Sequence, residues 1–154
     1  MLTRKAIERD IPQIMEIWLD FMHKLREINP DYYALSPDHT SFSDFLEKSM
    51  DREERSIFVA EEEGEVCGFL LAFVEALPEW FGEEKIGLIR YLAVREGKQQ
   101  KGIGQQLFDQ SIQWFNSEKI KRVELYVLQG IPASDFWKKQ GFRKLMDRRF
   151  LLIP

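Results

Sequence analysis

The sequence predicts an α/β (α+β in some schemes) protein with a mixed, mostly antiparallel sheet of about seven strands and about four flanking helices. Three observations carry this. Strand-like and helix-like runs follow in the order β-α-α-β-β-β-α-β-α-β-β. One helix falls between the fourth and fifth strands, which requires a parallel crossover there while the other neighbours pair antiparallel. The composition is that of a globular chain, with 154 residues, 44% apolar and 31% charged. A single domain over residues 1–154 is the expectation for that length.

Each element follows from local pattern. Leu2 to Ile7 reads as a strand. Asp10 is a candidate N-cap, with Gln13 three residues on and Pro12 in the first turn. Ile14, Ile17, Trp18, Phe21 and Leu25 then recur at helical spacing, predicting a helix over 11–27 that Asn29-Pro30 stops. Residues 31–40 read as loop, and Ser43 to Met50 as a second helix. Ile57–Ala60 and Val66–Val74 are apolar runs around Gly64, a hairpin signal. Pro78 to Glu84 interrupts the pattern and Gly87 to Val94 resumes a strand. From Gly102 to Asn116, Ile103, Leu107, Phe108, Ser111, Ile112, Trp114 and Phe115 share one half of a helical wheel, opposite Gln105, Gln106, Asp109, Gln110 and Gln113. Val123 to Val127 is a further strand and Ala133 to Gln140 a short helix. Phe142–Leu145 and Phe150–Ile153 are expected to form a terminal strand pair.

Charge and composition narrow the function. The net charge is −4 and the isoelectric point about 5.3, a poor match to nucleic-acid phosphates, so no nucleic-acid partner is expected. Cys67 alone cannot build a disulfide framework, and two histidines leave little for a metal site. No apolar run is long enough to span a membrane, and MLTRKAIERD lacks a signal-peptide core. A cytoplasmic address without membrane association is the resulting expectation.

The segment from Leu92 to Leu107 runs strand, tight loop, amphipathic helix, with Gly102 and Gly104 at the helix start. Amides in a first helical turn have no intrahelical partner, and the helix dipole adds about half a positive charge there. Such a turn suits a diphosphate. Gly-x-Gly alone is a weak signal, arising by chance roughly 0.5 times in such a chain. Leu107 stands where a dinucleotide fingerprint needs its third glycine, and no Gly-Lys-Ser/Thr follows. A ligand-free strand-to-helix turn is the alternative.

The wider pattern resembles motif A of the GNAT N-acetyltransferase superfamily. Leu92-Ala93-Val94 followed by Gln99-Gln100-Lys101-Gly102-Ile103-Gly104 matches it in register. The Asp10-led helix, Val66-Cys67-Gly68-Phe69, Leu125-x-Val127, and Ala133, Phe136 and Gly141-Phe142 match other parts, so the resemblance covers nearly the whole chain. It implies a GNAT-like acyltransferase fold and acetyl-CoA as cosubstrate, with no metal. Fourth and fifth strands that splay apart would admit the pantetheine arm along Leu92, Ala93 and Val94. The loop and helix start from Gln99 to Gln105 would hold the diphosphate, with Phe136 and Trp137 alongside. Lys98 or Lys101 could reach the outer phosphate.

The same resemblance locates departures. The family's thiolate-protonating tyrosine falls on Trp137, whose indole N–H has no useful acidity. Its asparagine falls on Gly130. Frequent base positions fall on Leu88 and Arg90, neither a base at neutral pH. Tyr126 is the surviving proton-donor candidate, with water or an ordinary strand aromatic as alternatives. Glu75 is the candidate base, against a solvated carboxylate. Trp80, Phe81, Tyr33 and Arg90 are the candidate acceptor contacts, and Glu75, Glu79, Glu83 and Glu84 favour a cationic amine. The implied activity is N-acetylation of a small-molecule or peptide amine in a ternary complex, by a monomer or homodimer. An acyl-CoA-binding protein with weak or lost catalysis, or an interaction domain without ligand, remain alternatives.

Overall fold

The central strands are apolar on both faces because both faces are covered. In the computed structural model, which describes Met1–Pro154, the elements are β1 (Leu2–Lys5), α1 (Ile11–Ile28), α2 (Thr40–Met50), β2 (Arg55–Glu62), β3 (Glu65–Ala76), β4 (Lys85–Val94), α3 (Ile103–Ser117), β5 (Val123–Leu125) and α4 (Ser134–Lys139), with a 3-10 turn at Glu8–Asp10. One sheet carries them in the order β1-β2-β3-β4-β5. All pairs are antiparallel except β4 with β5, the crossover made through α3. The mixed fold and four helices agree with the sequence pattern.

Alternate residues serve the two cores. Ile57, Val59, Phe69 and Leu71 pack with Ile14, Ile17, Trp18, Met22 and Leu46 of α1 and α2. Phe58, Ala60, Leu70 and Ala72 pack under Leu107, Phe108, Trp114 and Phe115 of α3, with Trp137 of α4. The α3 wheel is confirmed, since Ile103, Leu107, Phe108, Ser111, Trp114 and Phe115 are its buried residues. Two glycines set how closely α3 lies. A Cβ on Gly68 would stand 2.9 Å from the Ala93 carbonyl oxygen and 3.1 Å from Ile103 Cγ2, and one on Gly87 would enter the Phe115 ring.

The sheet has five strands rather than about seven. Residues 143–154 form no strand and take part in no backbone hydrogen bond within the chain. A terminal pair alone is marginal and needs a sheet to lie on. Arg143, Lys144, Asp147, Arg148 and Arg149 break this segment's apolar runs, and the chain brings it to no strand edge.

The expected Asp10–Gln13 capping box is also replaced. Asp10 gives α1 no side-chain cap. Its carboxylate instead takes both Arg4 terminal nitrogens, at 2.6 and 3.0 Å, and the Ile7 amide at 2.9 Å. Arg4 also binds Glu61, tying β1, β2 and the helix entrance together. Gln13 Oε1 accepts the Val66 amide at 2.8 Å. Both side chains are thus taken by other partners, Asp10 by the preceding strand and turn and Gln13 by β3. The second helix starts at Thr40, where Asp38 accepts the Thr40 amide and hydroxyl, so it begins three residues before Ser43.

Candidate active site

The parallel pairing of β4 and β5 is short, and its ending creates the site. Registers run Gly87–Val123, Leu88–Glu124 and Ile89–Leu125, then stop, although β4 continues to Val94. A bulge marks the same place. Leu71 pairs with Tyr91 and Ala72 with Ile89, leaving Arg90 as the extra residue. Its effect is to switch faces, so that Ile89 lies under α3 while Tyr91 and Ala93 face α1. Beyond Leu125 the chain turns toward α1, with Leu128 and Ile131 against that core and Gly130 over Ile28. From Arg90 to Val94, β4 therefore has an edge without a strand partner.

At the far end of this edge lies the loop leading into α3. Gln100 and Gly102 both adopt left-handed backbone, φ +62° and φ +78°. A non-glycine residue there is uncommon, and such strain concentrates at functional turns. No side chain caps α3, its first turn holds no acid, and the amides of Gly102, Ile103, Gly104 and Gln105 donate to nothing in the chain. A Cβ on Gly102 would meet nothing within 4 Å, so the space beside this turn is open. Leu92 and Phe136 stand 3.9 Å from where a Gly104 Cβ would be, forming side walls. The Gln105 side chain is committed elsewhere, exchanging hydrogen bonds of 3.1 and 2.6 Å with Gln140 and so fixing α3 against α4. Gln99 reaches the Val94 carbonyl at 3.4 Å. Lys98 is held by Glu62 at 2.6 Å, which lowers the Glu62 carboxyl and raises the ammonium. Lys101 makes no ion pair and is the cation left beside the amides.

The expected site residues fall into five places. Leu92, Ala93, Val94, Gln99, Gln100, Lys101, Gly102, Ile103, Gly104, Gln105 and Phe136 gather around the α3 entrance. Trp137 does not face it. Its ring is buried among Phe108, Phe136 and Phe142, so the indole serves packing. Arg90 and Tyr126 lie where β4 and β5 part, Tyr126 being the first residue beyond β5 and 67% exposed. Tyr33 lies beside Tyr32, ring centroids 5.3 Å apart. Glu75 pairs with Ile86, at the opposite end of β4 from Val94. Trp80 and Phe81 share that end, in the β3–β4 loop, with Trp80 81% exposed.

Tyr91 is a neighbour that strand alternation does not single out. Trp18, Phe21 and Phe42 meet its ring edge-on, and the Arg90 guanidinium lies 5.7 Å from its centre. Tyr32 is half-buried nearby, and burial first, then the neighbouring Tyr91, raises its phenol above the usual range. On this side, between α1 and α2, a cavity of about 330 Å³ is lined by Trp18, Leu35, Asp38, His39, Phe42 and Phe45, among others. No group of three or more His, Cys, Asp or Glu residues is arranged to hold a metal ion. No helix is long and apolar enough to cross a membrane.

Comparison with known proteins places the fold. The profile of the acetyltransferase (GNAT) family matches residues 14–142. No curated protein matches. Among solved structures, the chain is similar to a mutant of the BH1408 protein from Bacillus halodurans, with TM-score 0.89, 17% identity and 100% of both chains covered. A predicted acetyltransferase with acetyl-CoA from Clostridium acetobutylicum has TM-score 0.80 and 15% identity, over 98% of this chain and 95% of that one. The aminoglycoside acetyltransferase meta-AAC0020 from an uncultured soil metagenomic sample, in complex with sisomicin, has TM-score 0.72 and 20% identity, over 99% and 96%. At these identities the likeness is one of fold, whereas the profile match spans most of the sequence. The chain belongs to the GNAT acetyltransferase family, whose members use acetyl-CoA.

Proposed function

We propose that the protein transfers the acetyl group of acetyl-CoA to a primary amine of a small molecule or peptide, by direct attack in a ternary complex. The observation that carries this reading is the uncapped first turn of α3, opening on a β4 edge that β5 has left. Bound there, acetyl-CoA supplies an acyl group activated as a thioester. The amides of Gly102 to Gln105 hold its diphosphate, aided by Lys101. Main-chain groups of Leu92 to Val94 pair with its arm as a neighbouring strand would. An unpartnered amide of this edge meets the negative charge that develops on the carbonyl oxygen.

The neutral amine nitrogen forms the new C–N bond as the C–S bond breaks. The nitrogen's proton passes to Glu75 through water or to bulk water, and the departing thiolate takes a proton from Tyr126 or from water. Arg90, Tyr33, Trp80 and Phe81 contact the acceptor. The acidic β3–β4 loop favours a cationic one, in keeping with the amine-rich ligand of the aminoglycoside acetyltransferase. Burial of Trp137 in the α3–α4 core supports the second reading, acyl-CoA binding with weak catalysis, because no acidic hydrogen replaces the family's tyrosine at that position.

Two measurements separate these readings. Calorimetry with acetyl-CoA tests binding, and no heat at millimolar ligand removes both. Release of free CoA across a library of amines and peptides tests transfer. Turnover of an amine is the expected result, and tight binding without any turnover leaves the second reading standing instead.

A further inference from the structure

We infer that the corner of the molecule at the far end of α3 holds a second binding site, for a small zwitterion of the free amino acid type. Here β1 stops at Lys5, and just beyond it the Ala6 amide reaches the Ile57 carbonyl at 2.8 Å. Ser56 lies past that point of β2, on the face that Phe58 and Ala60 turn to α3. The helix ends at Ser117, bringing Trp114 and Glu118 to this corner. Between them is a polar cavity of about 540 Å³, with Ser49, Arg55, Ser56 and Trp114 in its lining. That volume falls within the roughly 300–1,000 Å³ of small-molecule sites. By the rise of the helix, the cavity lies about 20 Å from the α3 entrance.

Groups of both signs line the cavity without pairing across it. On one side are Ser56 and Arg55. Ser56 is 4% exposed and its hydroxyl has no partner in the chain, a rare state for a buried polar atom. The Arg55 guanidinium stacks over Phe45, 4.8 Å from the ring centre, and gives one hydrogen bond, to the Ser49 hydroxyl at 3.1 Å. It meets no carboxylate, so the rest of its fork of N–H donors is free for one. Lys5, also without an ion pair, adds a second cation. On the other side are Glu118, Asp51 and Glu53, none of them in an ion pair. Glu118 caps the carboxyl end of α3, whose last turn has no basic residue, and Asp51 caps that of α2. The helix dipole is negative at both places, so each carboxylate sits where a cation is favoured. Arg52, the remaining charged group, is taken by Glu54 at 2.7 Å. A simple anion or amine satisfies one side alone, and no metal-holding cluster is present. An amino acid satisfies both, its carboxylate on Ser56 and Arg55 and its ammonium on the acidic side. The inference is independent of the acetyl-transfer reading.

Amide NMR and calorimetry on the full chain test it, with each common amino acid added to about 10 mM. Acetate and ethylamine serve as probes carrying one charge each. At least one amino acid is expected to bind with a Kd of about 1 mM or tighter, moving the amides of Ser56, Ile57 and Glu118. Acetate and ethylamine should bind at least about tenfold more weakly. Ser56→Ala should weaken the amino acid about tenfold or more with thermal unfolding unchanged, because the hydroxyl it removes has no partner to lose. Glu118→Gln, on an exposed residue, should weaken it similarly and keeps the test open if the first variant fails to fold. No binding by any amino acid at that concentration overturns the proposal. So do shifts confined to residues 90–105, acetate or ethylamine binding equally well, or undiminished binding by either folded variant.

Discussion

At Gly102 the backbone is left-handed, φ +78°, with no atom of the chain within 4 Å of where a Cβ would project. A side chain there costs about 1–2 kcal/mol in backbone strain and enters the space that the proposed function gives to the diphosphate. Gly102→Glu adds like charge, so its affinity for acetyl-CoA should fall below calorimetric detection while the fold persists; undiminished binding contradicts the assigned cradle. Tyr126 tests the chemistry separately. Tyr126→Phe should lower turnover roughly tenfold or more with little change in acetyl-CoA affinity, and unchanged turnover retires the residue as proton donor. Of these two, Gly102 was legible from sequence because glycine spacing at a helix start carries a physical meaning. The bulge at Arg90 was not, since nothing local distinguishes it from the next residue of a strand, and the face that Tyr91 takes depends on that bulge.

Among elements, the position of α3 depends on Gly68. Its would-be Cβ lies against the Ala93 carbonyl oxygen, a backbone atom that cannot step aside. Gly68→Ala should therefore destabilise the fold by about 1–3 kcal/mol, read from denaturant unfolding, and should weaken acetyl-CoA binding by shifting the α3 entrance. The entrance to α1 depends on the Arg4–Asp10–Glu61 cluster. Asp10→Asn leaves Arg4 with a weakened partner in a part-buried site and should cost about 1–3 kcal/mol. Helical faces and the Gly64 hairpin were readable because their determinants are local. Asp10 was readable as a helix-start residue, yet its partner Arg4 is shared with Glu61, which only the sheet brings near. The C-terminal runs had strand composition and no strand to join, which composition cannot reveal.

Across the whole molecule, acid stability follows from the same cluster. Burial pushes the Asp10 carboxyl up, but the Arg4 hydrogen bonds and the Ile7 amide outweigh it, and the net position is below the usual range. Its contribution is thus complete above the unfolded-state value of about 3.9 and fades as pH falls through the lower folded value. Thermal unfolding scans should show the Asp10→Asn penalty near neutrality and a much smaller one at the acid end; a penalty independent of pH contradicts the assignment. The proposed function rests on a different whole-molecule property, the divergence of β4 and β5 in front of α3. Amide NMR during titration with acetyl-CoA observes it most directly. The account predicts that the largest shifts fall on Gly102, Ile103, Gly104 and Gln105, followed by Leu92 to Val94. Shifts confined to other surfaces, or none at saturating ligand, contradict it.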